Sequence, residues 1–206
     1  FRFFGIFRNV TLQAVPDVHM EDIWFMPVFN HDNKSGSISV RMKVSAAKQQ
    51  NITAHFVLKD RDGRLVAENR IDLVEKEAFL QEVLHAEVEG IKAWDNHHPY
   101  LYHAYVRLLS EGGELLEVIP YDIGFRRLEL VDNRVRLNGK RLVITGVNRH
   151  EWSAKAGRCI GTEEMTADIA CMLKNNINAV RTSHYPNQIP WYYLCDRNGI
   201  YMMSET

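Results

Sequence analysis

The feature that most constrains this chain is a change of hydrophobic grammar along its length. From about residue 17 to about residue 130 apolar side chains recur every second position. In SISVRMKVSA (37–46), Ile38, Val40, Met42 and Val44 alternate with Ser39, Arg41 and Lys43, which gives a strand with one apolar face and one wet face. Asp62-Gly63 lies between two such runs and predicts a hairpin with a primed turn, because that turn needs positive φ. Further strands are predicted over 23–29, 79–88, 101–109 and 115–125, with SEGGE (110–114) as the loop between the last two. About seven short antiparallel strands in this span point to an immunoglobulin-like β-sandwich. No Cys…Trp…Cys spacing accompanies them, which argues against an antibody-type domain.

A second hairpin follows in LELVDNRVRLNGKRLVITGVN (128–148), with Asn138-Gly139 as its turn. A strand is predicted over 142–147. Then the period changes. TEEMTADIACMLKNN (162–176) places Met165, Ile169, Met172 and Leu173 at helical spacing, with Thr162 as N-cap, Glu163 and Glu164 at the positive end of the helix dipole and Lys174 at the other. INAVRTS (177–183) reads as a short apolar strand covering 178–180. NQIPWYYLCDRNG (187–199) reads as a helix with Pro190 in its first turn and Gly199 past its end, and IYMMS (200–204) as a third strand. Alternating strands and helices with near-continuous apolar strands imply parallel β/α units. A closed (β/α)₈ barrel takes about 250 residues and only about 70 follow the sandwich, so the pattern predicts either the opening of a barrel or a small doubly wound sheet.

Composition narrows the function classes. The 206 residues are 46% hydrophobic and carry 25 Lys plus Arg against 26 Asp plus Glu, a formal charge of −1, so neither nucleic acid nor a membrane surface is expected as a partner. No run of eighteen apolar residues occurs. The three cysteines, Cys159, Cys171 and Cys195, have no CxxC or Cys/His ligand spacing and read as reduced thiols in a core. The N-terminal FRFFGIFRNV has no initiator Met and reads as an apolar strand interrupted by arginines, with Arg2 and Arg8 flanking a strand edge or pairing with another domain. No phosphate loop, GxSxG elbow or HExxH motif is present.

In β/α barrels chemistry sits at the C-terminal ends of the strands. Two segments qualify: Asn148, Arg149, His150 and Glu151 after the first strand, and Arg181, His184, Tyr185 and Asn187 after the second. One histidine at a strand end is more often structural than catalytic, but two at matched positions on adjacent strands point to a site that hydrogen-bonds a polyhydroxylated ligand. His97 and His98 read as exposed turn residues, and Trp191, Tyr192, Leu194 and Cys195 as helix core. Glu151 and Glu205 are rim carboxylates for which the sequence identifies no partner.

NAVRTSHYPN (178–187) closely resembles the first signature of glycoside hydrolase family two, and GVNRHE (146–151) the segment that precedes it in the β-galactosidases of that family. GIFRNVTL (5–12) resembles the last strand of their N-terminal jelly roll, and LCDRNGIYMMSE (194–205) their third barrel strand. The resemblance implies a tail of the sugar-binding jelly roll at 1–14, an immunoglobulin-like β-sandwich at 15–127 and the start of a TIM barrel at 128–206. It implies part of a retaining enzyme acting on terminal β-D-galactosyl residues. By the same carry-over His150 and His184 match histidines that contact the galactosyl unit, Arg181 matches an arginine near the nucleophile, and Tyr185 and Asn187 match motif positions. The family's acid/base and nucleophile glutamates match nothing in these 206 residues, so the isolated chain is expected to be inactive and to hold no cofactor. For the parent, magnesium and sodium, a β-galactoside substrate, the remaining domains of the same polypeptide, homo-oligomerisation and a cytoplasmic location are expected, with the periplasm and secretion left open. β-Glucuronidase or another family-two glycosidase, and a non-catalytic glycan-binding or scaffolding sandwich, are the alternatives.

Overall fold

Period-two alternation becomes two stacked sheets in the computed structural model, which describes residues 5–32, 34–46, 51–73, 75–76 and 79–205. The strands are β1 (Val18–Asn30), β2 (Ser35–Ala46), β3 (Ile52–Lys59), β4 (Leu65–Leu73), β5 (Glu75–Lys76), β6 (Phe79–Val88), β7 (Tyr102–Ser110) and β8 (Leu115–Ile123). They form two antiparallel sheets in the orders β1-β2-β6-β5 and β4-β3-β7-β8. Ile38, Val40, Met42 and Val44 of β2 face Ala54, Phe56 and Leu58 of β3 and Ala104, Val106 and Leu108 of β7 in one core, all essentially inaccessible to solvent. Burying each of the large side chains contributes about 1.5–3 kcal/mol. This is the predicted immunoglobulin-like sandwich.

The Asp62-Gly63 turn differs from the prediction. The loop runs over five residues, Gly63 alone takes positive φ (80°), and its N–H donates to the Asp60 carbonyl at 3.0 Å. The Asp60 carboxylate accepts from the N–H groups of Asp62 and Arg64, both at 2.9 Å, and this side-chain cap replaces the two-residue primed turn. Ser110 to Glu114 repeats the design, with Gly113 at φ 79°.

A small three-stranded sheet follows, formed by β9 (Leu128–Val131), β10 (Arg134–Leu137) and β11 (Lys140–Arg141). Its turns, Asp132-Asn133 and Asn138-Gly139, each have two positive-φ residues, the primed geometry expected at the second of them. Gln13–Trp94 and Tyr100–Arg141 make up one compact unit.

The other unit comprises the residues up to Leu12, Asp95–Pro99, and those from Leu142 onward. It holds β12 (Gly146–Arg149), α1 (Thr162–Lys174), β13 (Ala179–Thr182), α2 (Ile189–Asn198) and β14 (Tyr201–Met203), with the three strands parallel in chain order. Met165, Ile169 and Met172 of α1 and Trp191 and Cys195 of α2 pack on Val180, Ile160 and Ile200. Leu173, predicted in that stripe, is 45% exposed, and Cys159 and Cys171 are exposed thiols rather than core ones. The N-cap of α1 is Gly161, not Thr162: Glu164 reaches back and accepts the Gly161 N–H at 2.9 Å, which holds its carboxyl below the ordinary value. Pro190 lies in the first turn of α2, and Gly199 ends that helix at φ 70°.

Candidate active site

The first two barrel strands lie further along the chain than predicted. Residues 142–145 do not join the sheet, because Asn178 takes their hydrogen bonds: its Oδ1 accepts the Thr145 N–H at 2.8 Å and its Nδ2 donates to the Val143 carbonyl at 2.9 Å. β12 and β13 therefore begin at Gly146 and Ala179, and Asn148, Arg149 and Arg181 are strand residues rather than loop residues. In parallel register Asn148 pairs with Arg181 and Arg181 with Met203, so alternation puts these three on one face. Val180 and Met202 lie on the opposite face, in or against the core of this unit.

At the C-terminal ends of these strands the histidines predicted from sequence come together. The rings of His150 and His184 are 5.5 Å apart in an edge-to-face arrangement, and Tyr185 lies 5.8 Å from His150. Glu205, two residues past β14, has its partners here. Its Oε1 accepts from Arg181 Nη2 at 2.5 Å, and its Oε2 lies 3.2 Å from His184 Nδ1. The Glu205 N–H donates to Thr182 Oγ1 at 2.9 Å, and Thr182 is fully buried in β13. The peptide between Ser183 and His184 is cis. The His184 side chain is 59% exposed, so imidazole donors and acceptors on this rim remain available to a hydroxyl-bearing ligand.

Three residues from the same two segments face inward and hold the rim. Glu151, taken from sequence as a rim carboxylate, is 2% exposed. Its Oε1 accepts the Gln188 N–H at 2.7 Å, its Oε2 pairs with Arg8 at 3.0 Å, and its own N–H donates to the Tyr185 hydroxyl. A carboxylate so occupied ties the two loops together and is not free for a ligand. Arg149 is buried as well, bonded to Asp168 of α1 and to Asn187 Oδ1, both at 2.9 Å, with its guanidinium 3.7 Å from the Trp191 ring centre. Asn187 is 4% exposed and also donates to the Tyr185 carbonyl, so the structure sets it beneath the rim rather than on it. His97 and His98 are exposed, their N–H groups donating to Asp95.

Arg8 is the site-supporting residue whose role sequence reasoning left open. Besides Glu151 it donates to the Pro186 carbonyl, while Phe7 packs on the Arg158 guanidinium, which also lies 4.4 Å from the Tyr185 ring. Arg2, raised alongside Arg8, lies outside the described residues. Among the described residues no three His, Cys, Asp or Glu side chains gather as metal ligands, and the Glu205 oxygens face a guanidinium and an imidazole, so the residues present do not fit magnesium. No described helix is long and apolar enough to cross a membrane.

A sequence model of glycosyl hydrolases family 2 matches residues 18–126, and a model of that family's TIM barrel domain matches residues 128–206. The chain belongs to glycosyl hydrolase family 2. Its family relatives include the Lactobacillus acidophilus protein named beta-galactosidase large subunit, 46% identical over all of this chain and 32% of that protein. The beta-galactosidase of Halalkalibacterium halodurans is 39% identical over 99% of this chain and 20% of its own length. The chain thus spans about a third or less of the curated relatives it matches. A crystal structure of a glycosyl hydrolase family 2 member from Bacteroides cellulosilyticus superposes with TM-score 0.86 over 93% of this chain and 27% of that one, at 20% identity, a likeness of fold. A Bifidobacterium dentium beta-glucuronidase complexed with coumarin-3-O-glucuronide superposes with TM-score 0.82 over 93% of this chain and 31% of that one, at 25% identity. Within family 2, then, the sandwich and the three parallel strands are the expected immunoglobulin-like domain and the start of the TIM barrel.

Proposed function

We propose that this chain is part of a retaining β-galactosidase, a glycoside hydrolase acting on terminal β-D-galactosyl residues such as those of lactose. The observation that carries the reading is the apposition of His150 and His184, 5.5 Å apart at the ends of adjacent parallel strands, in a chain 46% identical to a relative named beta-galactosidase large subunit. In this role the two imidazoles hydrogen-bond sugar hydroxyls and do so more strongly as charge develops in the oxocarbenium-like transition state. Arg181 supplies a fixed cation paired with Glu205 beside the histidines, and Asn187 holds Arg149 and the Tyr185 turn beneath them. Protonation of the leaving oxygen by one carboxyl group and attack by another, giving a covalent glycosyl-enzyme that water then hydrolyses, are assigned to residues of the parent outside these 206. Magnesium, where the parent uses it, is assigned ligands outside this chain too. Residues 1–14 are assigned to the end of a jelly roll, on the resemblance of GIFRNVTL. A cytoplasmic location fits three cysteines that form no disulfide.

The test is hydrolysis of chromogenic β-galactoside and β-glucuronide by the full-length parent. Preference for the galactoside supports the reading. Preference for the glucuronide moves the assignment to another activity within the family, and turnover of neither supports a non-catalytic module.

A further inference from the structure

We infer that Glu205 is a positioning residue that sets the tautomer and orientation of His184, and so the hydrogen-bonding group His184 turns toward the substrate. This rests on the glycosidase reading above and names a device within that site.

Glu205 is placed for the task by its backbone before its side chain is considered. Its N–H is anchored to the hydroxyl of Thr182, a residue with no solvent exposure, so the third strand's end is pinned to the second. Parity does the rest: Arg181 pairs with Met203, and Glu205 is two residues further along the same face. The carboxylate then divides its oxygens, Oε1 to the Arg181 guanidinium and Oε2 toward His184 Nδ1 at 3.2 Å.

An ionised carboxylate only accepts hydrogen bonds, so the Nδ1 that faces it carries the proton. In the neutral ring Nε2 is then the acceptor, and on protonation Nε2–H becomes a donor. In either state it is the nitrogen left to meet a ligand. Arg181 occupies the Oε1 side of Glu205, which leaves Oε2 to accept from Nδ1. Among the described residues, Glu205 from the end of β14 and the His150 ring after β12 meet His184, while Arg181 on β13 meets Glu205 and Tyr185 lies by His150. Of these, Glu205 is the one whose carboxylate meets a ring nitrogen of His184. The relation is that of a carboxylate orienting a histidine that does the contacting.

The experiment is a double-mutant cycle in the full-length parent, read on whichever chromogenic β-glycoside the wild type hydrolyses. Glu205→Gln is expected to lower kcat/KM at least tenfold, with the loss in kcat and KM within about threefold of wild type, because the affected hydrogen bond strengthens in the transition state. In the His184→Ala background the same substitution is expected to cost less than threefold. Glu205→Asp, which keeps the charge and withdraws it by one methylene, is expected to recover part of the loss. Equal losses in both backgrounds, a loss confined to KM, or an unchanged rate in Glu205→Gln would overturn the inference while leaving the glycosidase reading intact. A correctly folded wild type with no glycosidase turnover would overturn that reading and this inference with it.

Discussion

Arg8 and Glu151 lie 143 positions apart in the chain and form an ion pair at 3.0 Å, in which the Glu151 side chain is 2% exposed and the Arg8 side chain 37%. A buried carboxylate needs such a partner, because removing one member leaves an uncompensated charge in a poorly polarisable setting. The pair joins the N-terminal segment to the loop that follows β12, one residue from His150.

Arg8→Met is therefore expected to loosen the rim rather than the sandwich. The partial exposure of Arg8 lowers the cost from the full buried-pair value to about 2 kcal/mol. Hydrogen exchange across residues 150–188 is expected to accelerate about tenfold or more, with β2, β3 and β7 unchanged. Uniform acceleration, or none, would contradict the role given to the pair.

Gly199 tests the second loop contact of this unit. It sits at φ 70°, and a Cβ there would clash with the Asn96 carbonyl oxygen, a backbone atom with little freedom to give way. Gly199→Ala is expected to destabilise by about 2 kcal/mol or more, through both the left-handed backbone and the clash. Thermal melting is the measurement, and Asn198→Ala is the control, expected to cost less because its side chain bonds the Leu194 carbonyl of its own helix.

Cys195 offers a pH test. Burial between α2 and the sheet pushes its thiol up from the ordinary 9.0 to about 12, with the Asp196 charge adding to the effect. The folded state thus favours the neutral thiol. Its contribution is fully present below pH 9 and is lost as pH rises from about 9 toward 12, where the unfolded chain ionises first. At pH 8, alkylation mapped by mass spectrometry is expected to label the exposed Cys159 and Cys171 at least about a hundredfold faster than Cys195. Denaturant is expected to abolish the difference.

Much of this was legible in the residues because it is local. The alternation around Met42 fixes which side chains enter the sandwich core, and the spacing of Met165, Ile169 and Met172 fixes the helix face. The errors arose where a side chain competed with the backbone. Asp60 caps its turn and changes the turn's type, and Asn178 draws residues 143–145 out of the ladder and moves the strand ends. The site divides in the same way. His150 and His184 were recognisable from matched placement after successive strands, but the pairing of Arg8 with Glu151 has no local signal at all. Glu205 was findable in principle, since the parity of NAVRT against IYMMSE sets it on the face of Arg181, but only once the parallel register is known.

The most direct test of the central claim is kcat/KM of the full-length parent on a chromogenic β-galactoside, wild type against His184→Ala, with circular dichroism showing an unchanged fold. Loss of a hydrogen bond to a sugar hydroxyl that strengthens as positive charge develops on the ring predicts a fall of about 10²–10³-fold. A His184→Ala enzyme as fast as wild type would contradict the account, because the rim built by β12, β13 and Glu205 would then not be the place where the sugar is held.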